Sequence, residues 1–426
     1  MKKQDGYIID TTYPIFFYKE MQPIWLKTVV TFLGFHTTEI DEQFSYLELG
    51  CAKGINLLIA AINHPQALFV GVDFNRQHIE QAKQLAEHFK LKNIEFIHAD
   101  FLEFLEKNKR KFDFIVNHGT FSWVSPVHQQ HILDIVASAL TDLGIFYLHY
   151  MCYPGSANLL AVQKLLNLVD QISHEGTEEN IEIGKVLFSD LYKAGAFVNQ
   201  PQIEGVIKTL KNSSAYLAHE FLTDHWQPLY SVDVHKKVYE TTQLSYVGSA
   251  NPCENMDNIS IPLNIQNMIK NVHAPALKEY VKDIARDAKQ RIDIFQKNPR
   301  KFANKEHFSA IDRIYFQPLL DLPKQGIASF QTPIGQIQAP QELITLIFRC
   351  LKKEPFQFST LLKFREFREN PIFLIETIFL LMNAHYLHPV ASWAEQVNIH
   401  TVNKFNEQME KQGISLNIVT ECATAL

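Results

Sequence analysis

Between residues 45 and 150, short apolar runs alternate with stretches whose apolar positions recur every three or four residues. The runs at 46–49, 68–72, 94–97, 112–116 and 145–150 read as strands, and the intervening segments as amphipathic helices. Such alternation predicts an α/β domain, a doubly wound Rossmann-like parallel sheet with helices on both faces. Helix starts agree: Ser125 before Pro126 is an N-cap with proline at the first helical position, and Asn75 is placed to cap the helix after Asp73. In open sheets of this kind ligands bind beyond the strands' C-terminal ends. Glu48, Asp73, Asp100 and Asn117 all fall at such ends.

Residues 46–54 read Tyr-Leu-Glu-Leu-Gly-Cys-Ala-Lys-Gly. A strand, a glycine turn and a helix in that order aim unpaired helix amides at a ligand. A dinucleotide fingerprint needs glycine where the chain has Ala52 and Ile55, and a phosphate-cradling loop needs Lys and Ser or Thr where it has Ile55 and Asn56. Both readings fail. What remains is a turn preceded by Glu48, with Asp73 closing the next apolar run near the roughly 20-residue separation of a ribose-binding acid.

This pattern resembles class I S-adenosylmethionine-dependent methyltransferases, in which an acid and glycines at the first turn hold the methionine end and an acid at the second strand's end holds the ribose. Residues 112–124 (Phe-Asp-Phe-Ile-Val-Asn-His-Gly-Thr-Phe-Ser-Trp-Val), followed by Pro126, look like the fourth-strand signature of a narrower bacterial group. That group carries a methyltransferase core followed by a methyltransferase regulatory domain. The Tyr-x-x-x-Pro-Gly rhythm at 150–155 and the segment Glu-Phe-Leu-Thr-Asp-His-Trp-Gln-Pro at 220–228 agree with it. The resemblance implies S-adenosylmethionine as cofactor, held by Glu48, Gly50, Cys51, Ala52, Gly54, Asn56, Asp73, Phe74, Asp100, Phe101, Asn117 and His118. Asp100 is expected to accept from the adenine amino group, with Phe101 against the ring. Ala52, Met151 and Ser156 depart from the group's pattern, which bears more on the substrate than on the cofactor.

The group includes bacterial enzymes that methylate lysines of outer-membrane proteins, so a protein lysine is the implied acceptor. A small-molecule methyltransferase and a non-catalytic cofactor-binding regulator are the alternatives. Methyl transfer is an in-line displacement governed by positioning, and an amine must reach it neutral. An apolar aromatic pocket favours that state. Tyr13, Tyr18, Phe121, Trp123 and Tyr153 could form the pocket. Tyr13, Trp123 and His118 are the candidate catalytic residues, since His118 alone nearby has an ordinary pKa near neutrality. His118 as a mere backbone or cofactor partner is the competing reading. Asp113 reads as structural, and His128 and His131 as a solvated helix face.

Four segments follow. Residues 1–156 form the cofactor-binding core, with an aromatic N-terminal lid and a helix near 22–34. Residues 157–221 form a helical insertion, lid or dimer contact, divided by a charged link at 174–182. Residues 222–322 form a regulatory region that completes the sheet with a strand near 244–248. Residues 323–426, after a linker at 321–326, form a mainly helical, winged-helix-like accessory domain with helices opened by Pro340 and by Asn370-Pro371.

Composition narrows the picture. The chain has 426 residues, 40 basic and 46 acidic, for a net charge of −6, which argues against broad nucleic-acid binding. Five scattered cysteines without a Cys-x-x-Cys indicate neither a disulfide framework nor a metal site. With no apolar leader and no apolar run near the ~20 residues of a membrane span, the expected location is cytoplasmic.

Overall fold

The computed structural model describes residues 3–200, 202–320, 329–351 and 354–426. Its centre is a seven-stranded sheet: β1 (Ser45–Leu49), β2 (Leu68–Asp73), β3 (Ile94–His98), β4 (Phe112–Asn117), β5 (Leu140–Met151), β6 (Leu244–Ser249) and β7 (Gln290–Lys297). The order is 3-2-1-4-5-7-6, with β7 antiparallel to both its neighbours. The five strands read from the apolar runs are all present and parallel. β5 begins five residues earlier than its apolar run, at Leu140.

Both faces of the sheet are covered, which is why its strands are continuously apolar rather than alternating. Asn75 caps α3 (Arg76–His88) through the amides of Gln77 and His78, and Ser125 caps α5 (Pro126–Ala139) through the amide of His128. Asp113 is structural, as expected: its carboxylate accepts from the Ser45 amide and hydroxyl, joining β4 to β1. The helix near 22–34 is α1 (Pro23–Phe32), with Trp25 and Val29 fully buried.

Four helices make up the insertion: α6 (Leu160–Ile172), α7 (Thr177–Lys193), α8 (Ile203–Thr209) and α9 (Ser214–Phe221). The charged link is shorter than expected. Glu178 and Glu179 lie in the first turn of α7, where acids complement the helix dipole, so these residues extend the helix rather than interrupt it. The insertion has its own small core, joined by Ile8 from the N-terminal hairpin, by Trp123 from the segment between β4 and α5, and by Met151 from the end of β5. It therefore lies over the strand ends. Its outer face leaves Ile172, Val186 and Val198 exposed. The next helix (Ser231–Thr242) leads into β6, as the sequence pattern indicates.

The expected linker at 321–326 lies outside the described residues. Tyr315–Gln317, placed before that boundary, pairs with both Phe356–Gln357 and His388–Pro389 in a small antiparallel sheet. Around it stand the helices Gln341–Leu351, Pro371–Asn383, capped by Asn370, and Ile399–Lys411. This module shares a continuous apolar core with α1, α2 (Ile55–Asn63) and α3. Phe32 meets Phe316 and Phe379, Phe89 meets Phe405, and Trp393 Nε1 donates to the Asn63 carbonyl at 2.8 Å. Lys19, almost fully buried over the Trp25 ring, donates to the Met382 carbonyl at 3.1 Å. Burial pushes its pKa down to about 8.

Candidate active site

At the C-terminal ends of β1, β2 and β4 lies a cavity of about 140 Å³. Its floor is the first turn. Gly50 and Gly54 both have positive φ, and neither tolerates a side chain. A Cβ on Gly54 would sit 2.3 Å from the Phe96 ring, and one on Gly50 2.4 Å from Thr120 Oγ1. Ala52 takes φ 45°, a left-handed conformation that strains an L-residue. Asp73 holds this turn in place: one carboxylate oxygen accepts from the Ala52 amide at 2.9 Å, the other from the Asn75 amide at 2.8 Å.

Two acids face one another across the turn. Glu48 is buried and its Oε2 has no hydrogen-bond partner. Burial, reinforced by Asp73, pushes its pKa up to about 8. Burial also raises Asp73, to about 6, although the amides of Asn75 and Ala52 oppose the shift. His78 stands 4.0 Å from Asp73. Burial takes its pKa down to about 4, so it brings no charge. Half-buried Lys53 also borders the cavity. An orphaned buried carboxylate beside glycines that admit no Cβ fits the ammonium end of an amino-acid cofactor, because an unpaired buried charge is costly until a partner arrives.

Most of the sequence-derived cofactor residues come together here: Glu48, Gly50, Cys51, Ala52, Gly54, Asn56, Asp73, Phe74, Asp100, Phe101 and His118 all border the cavity. Asp100 also caps its helix (Phe101–Lys107) in a reciprocal capping box with Glu103. Both ends of the Asn56 amide are engaged: Oδ1 accepts from the Tyr18 amide and Nδ2 donates to the Phe16 carbonyl. Asn56 thus clips the aromatic N-terminal strap across the cavity. Asn117 does not reach the lining. Fully buried, it donates from Nδ2 to the Leu49 carbonyl at 2.8 Å and joins β4 to β1. His128, read as solvated, instead borders the cavity, its ring 6.4 Å from that of Phe101.

A second, larger cleft of about 1040 Å³ adjoins the first and shares Tyr7, Tyr13, Tyr18, His118, Gly119 and Trp123 with it. It runs between the insertion and β7 as far as Gln331, Thr332 and Pro333 of the C-terminal module. At the junction, His118 lies 3.9 Å from the Tyr18 ring and stacks on His149 at 4.2 Å. Its Nδ1 is 2.7 Å from the Tyr147 hydroxyl. The Gly119 amide donates to His149 Nδ1, so Nε2 carries the ring proton and donates to Gln290. Burial and the neighbouring His149 hold His118 well below its ordinary pKa. His149 falls to about 4 for the same first reason. His118 is accordingly neutral near pH 7, against the expectation that it titrates there.

Two of the proposed aromatic wall residues lie elsewhere. Phe121 is buried in the core with Ile132 and Leu133 of α5, and Tyr153 stacks on Tyr230 at 4.7 Å, away from both cavities. Their places are taken by Tyr7, Tyr216 and His149. His149 stands near the end of β5, where the strand-end rule reaches it. Tyr216 carries no local signal, since it arrives from the insertion.

Two family models match the chain. One, described as a methyltransferase domain, matches residues 40–238. The other, described as a predicted methyltransferase regulatory domain, matches residues 213–297. Together they run from residue 40 to residue 297, more than half of the chain. An uncharacterized protein of Synechocystis is 27% identical over 92% of this chain and 78% of its own length. An uncharacterized protein of Rickettsia prowazekii is 33% identical over 34% of this chain, which spans 58% of that relative. Among solved structures, PKMT2 from Rickettsia typhi in complex with AdoHcy superposes with a TM-score of 0.69 at 19% identity, covering 89% of this chain and 77% of the other. Among the described residues, no helix is long and apolar enough to cross a membrane. With a first turn fitted to an amino-acid cofactor, the 3-2-1-4-5-7-6 sheet and both family models, the chain belongs to the S-adenosylmethionine-dependent methyltransferases that carry a methyltransferase regulatory domain.

Proposed function

We propose that the enzyme methylates the ε-amine of lysine in a protein acceptor. The observation that carries this reading is the second cleft. It is large, opens to solvent and extends from the cofactor cavity to the C-terminal module, whereas a metabolite methyltransferase needs a small enclosed pocket. A chain of tyrosines and Trp123 at the junction suits an aliphatic side chain that ends in an amine. The PKMT2 neighbour and the resemblance of residues 112–124 point the same way. An outer-membrane protein met in the cytoplasm before export is the acceptor that resemblance favours.

Glu48, the first-turn backbone and Asp73 hold the amino-acid and ribose ends of the cofactor, with Asp100 and Phe101 at the adenine. When bound, S-adenosylmethionine supplies a methyl group activated on a sulfonium. The protein's part is orientation: the strap residues Tyr13 and Tyr18 close over the junction, Trp123 walls the acceptor side, and the neutral His118–Tyr147–His149 group fixes the floor. Their rings exclude water and favour the uncharged amine.

Incubation of the enzyme with methyl-tritiated S-adenosylmethionine and cell-envelope or soluble protein extracts, followed by hydrolysis and amino-acid separation, tests the proposal. Label in methyllysine is the expected result. Label confined to small molecules would establish the metabolite reading. Cofactor binding without transfer to any fraction would leave a regulator.

A further inference from the structure

Among the described residues, Glu220 is a carboxylate of the cleft wall with no lysine or arginine paired with it. It is the penultimate residue of α9, on the cleft wall, and its carbonyl accepts from Trp123 Nε1 at 3.1 Å. Its charge acts on Tyr7, Tyr13 and Tyr18 from the N-terminal strap and on Tyr216, one turn earlier in its own helix. The Glu220 carboxylate meets the Trp226 indole, a neutral partner, whereas two other acids of the cleft are engaged by a cation or by several donors. Asp283 pairs with Arg291 and accepts from Ser231, and Glu254 accepts from Ser249 and Asn251. Among the described residues no lysine or arginine is paired with Glu220. A carboxylate walled by aromatic rings and lacking a counter-ion is a receptor for an ammonium group, since ring faces attract the cation and the acid supplies the opposite charge.

We propose that Glu220 is the acceptor-side catalytic residue, whose carboxylate seats the incoming lysine ammonium and removes one of its protons. This rests on the lysine reading above. The balance is simple. One N–H bond of the ammonium breaks and an O–H bond forms on Glu220, leaving a neutral amine and a neutral acid. The amine lone pair then forms the N–C bond while the methyl–sulfur bond breaks with its electron pair going to sulfur. The product is a methylammonium, and Glu220 returns its proton to the water of the open cleft.

The surroundings agree with that role. Burial pushes Glu220 up to about 7, although a hydrogen bond with the Trp226 side chain opposes the shift, and that value suits proton acceptance near neutrality. Tyr7, Tyr13, Tyr18 and Tyr216 are all driven upward by burial. His219 on the same helix is driven down to about 4, and His118 and His149 across the junction are also lowered. Of these neighbours, none changes charge between pH 6 and 8.

The test uses n-butylammonium, the terminus of a lysine side chain, as the probe of full-length enzyme saturated with S-adenosylhomocysteine, with binding followed by tryptophan fluorescence or calorimetry. Wild type is expected to bind it and Glu220→Gln to bind it at least tenfold more weakly. Glu220→Asp should recover part of the loss, and 1-butanol should not compete. Binding should fade as pH falls through about 7, where the acid is neutralised, and Glu220→Gln should show no such step. Unchanged S-adenosylhomocysteine affinity in the variant shows that it is folded. Equal binding by wild type and Glu220→Gln, or no binding by wild type, overturns the proposal. Glu220-dependent capture of the amine without methyllysine in any extract would sink the protein-lysine reading and leave Glu220 as the seat for the ammonium of a different amine acceptor. Methyllysine formation unaffected by Glu220→Gln would do the reverse.

Discussion

The cofactor cavity and the acceptor cleft meet at the same residues, Tyr13, Tyr18, His118 and Trp123, yet they are assembled in opposite ways. Most of the cavity comes from one stretch, residues 48–128, folded as consecutive strand-turn-helix units whose ends converge by topology alone. The cleft gathers Tyr7, His149, Tyr216, Glu220, Gln290 and Gln331 from five separate parts of the chain. A site of the first kind can be held constant while the second changes, because the insertion can alter the cleft wall without touching the glycine turn. The departures at Met151 and Ser156 lie on the acceptor side of this division. Met151 borders the cleft, and Ser156 donates to the Lys289 carbonyl beside it.

The sharpest way to break the comparison is Glu48→Gln. On the proposed assignment Glu48 pairs with the cofactor's ammonium, and losing such a buried carboxylate costs roughly 2–5 kcal/mol, so S-adenosylhomocysteine affinity should fall by about 30-fold or more by calorimetry, with n-butylammonium capture retained. The same change should stabilise the cofactor-free protein. A carboxyl raised from 4.5 to about 8 by folding binds more protons in the native than in the unfolded state. Its contribution therefore erodes as pH rises from the unfolded value through about 8. Thermal melts of the variant should exceed wild type at pH 8 and converge with it near pH 4.5. A variant that lost both ligands together would mean that the two sites are one.

A smaller effect is expected at the junction. His118→Asn should lower kcat by less than about tenfold, since the neutral ring orients rather than transfers a proton, and the pH profile between 6 and 8 should keep its shape. Loss of a limb near pH 6.5 would restore His118 as the proton carrier. The smallest is Ala52→Gly, which relieves a left-handed alanine and should raise stability by about 0.5–1 kcal/mol, read as a shifted urea midpoint at constant slope, with the acceptor side unaffected.

The same contrast explains what the chain discloses before folding. Strand periodicity and the strand-end rule locate Glu48, Asp73 and Asp100, because each is fixed by neighbours a few residues away. That rule also nominates Asn117, whose side chain turns inward to the Leu49 carbonyl; position at a strand end does not determine direction. Phe121 and Trp123, two residues apart, share an aromatic pattern but face the core and the cleft respectively. The titration expected of His118 fails for reasons invisible locally, namely its burial and, second to that, the stacking of His149 from a different strand. Glu220 lies inside a segment legible as the start of the regulatory region, but its aromatic surroundings come from the strap, more than 200 residues earlier.

The shared core between the C-terminal module and helices α1 to α3 has a consequence for cooperativity. Trp393 on the Asn63 carbonyl, Phe405 on Phe89 and Lys19 on the Met382 carbonyl bind the two ends of the chain into a single foldon with the cofactor turn. The insertion rests on a separate, smaller cluster and a few ties to the strap, such as Thr177 to Asp10 and His219 to the Thr11 carbonyl. Breathing of that half would widen the entrance to the second cleft while the cofactor's seat stays closed, so on the proposed reading a bulky acceptor comes and goes at little risk to the ligand already bound beneath it.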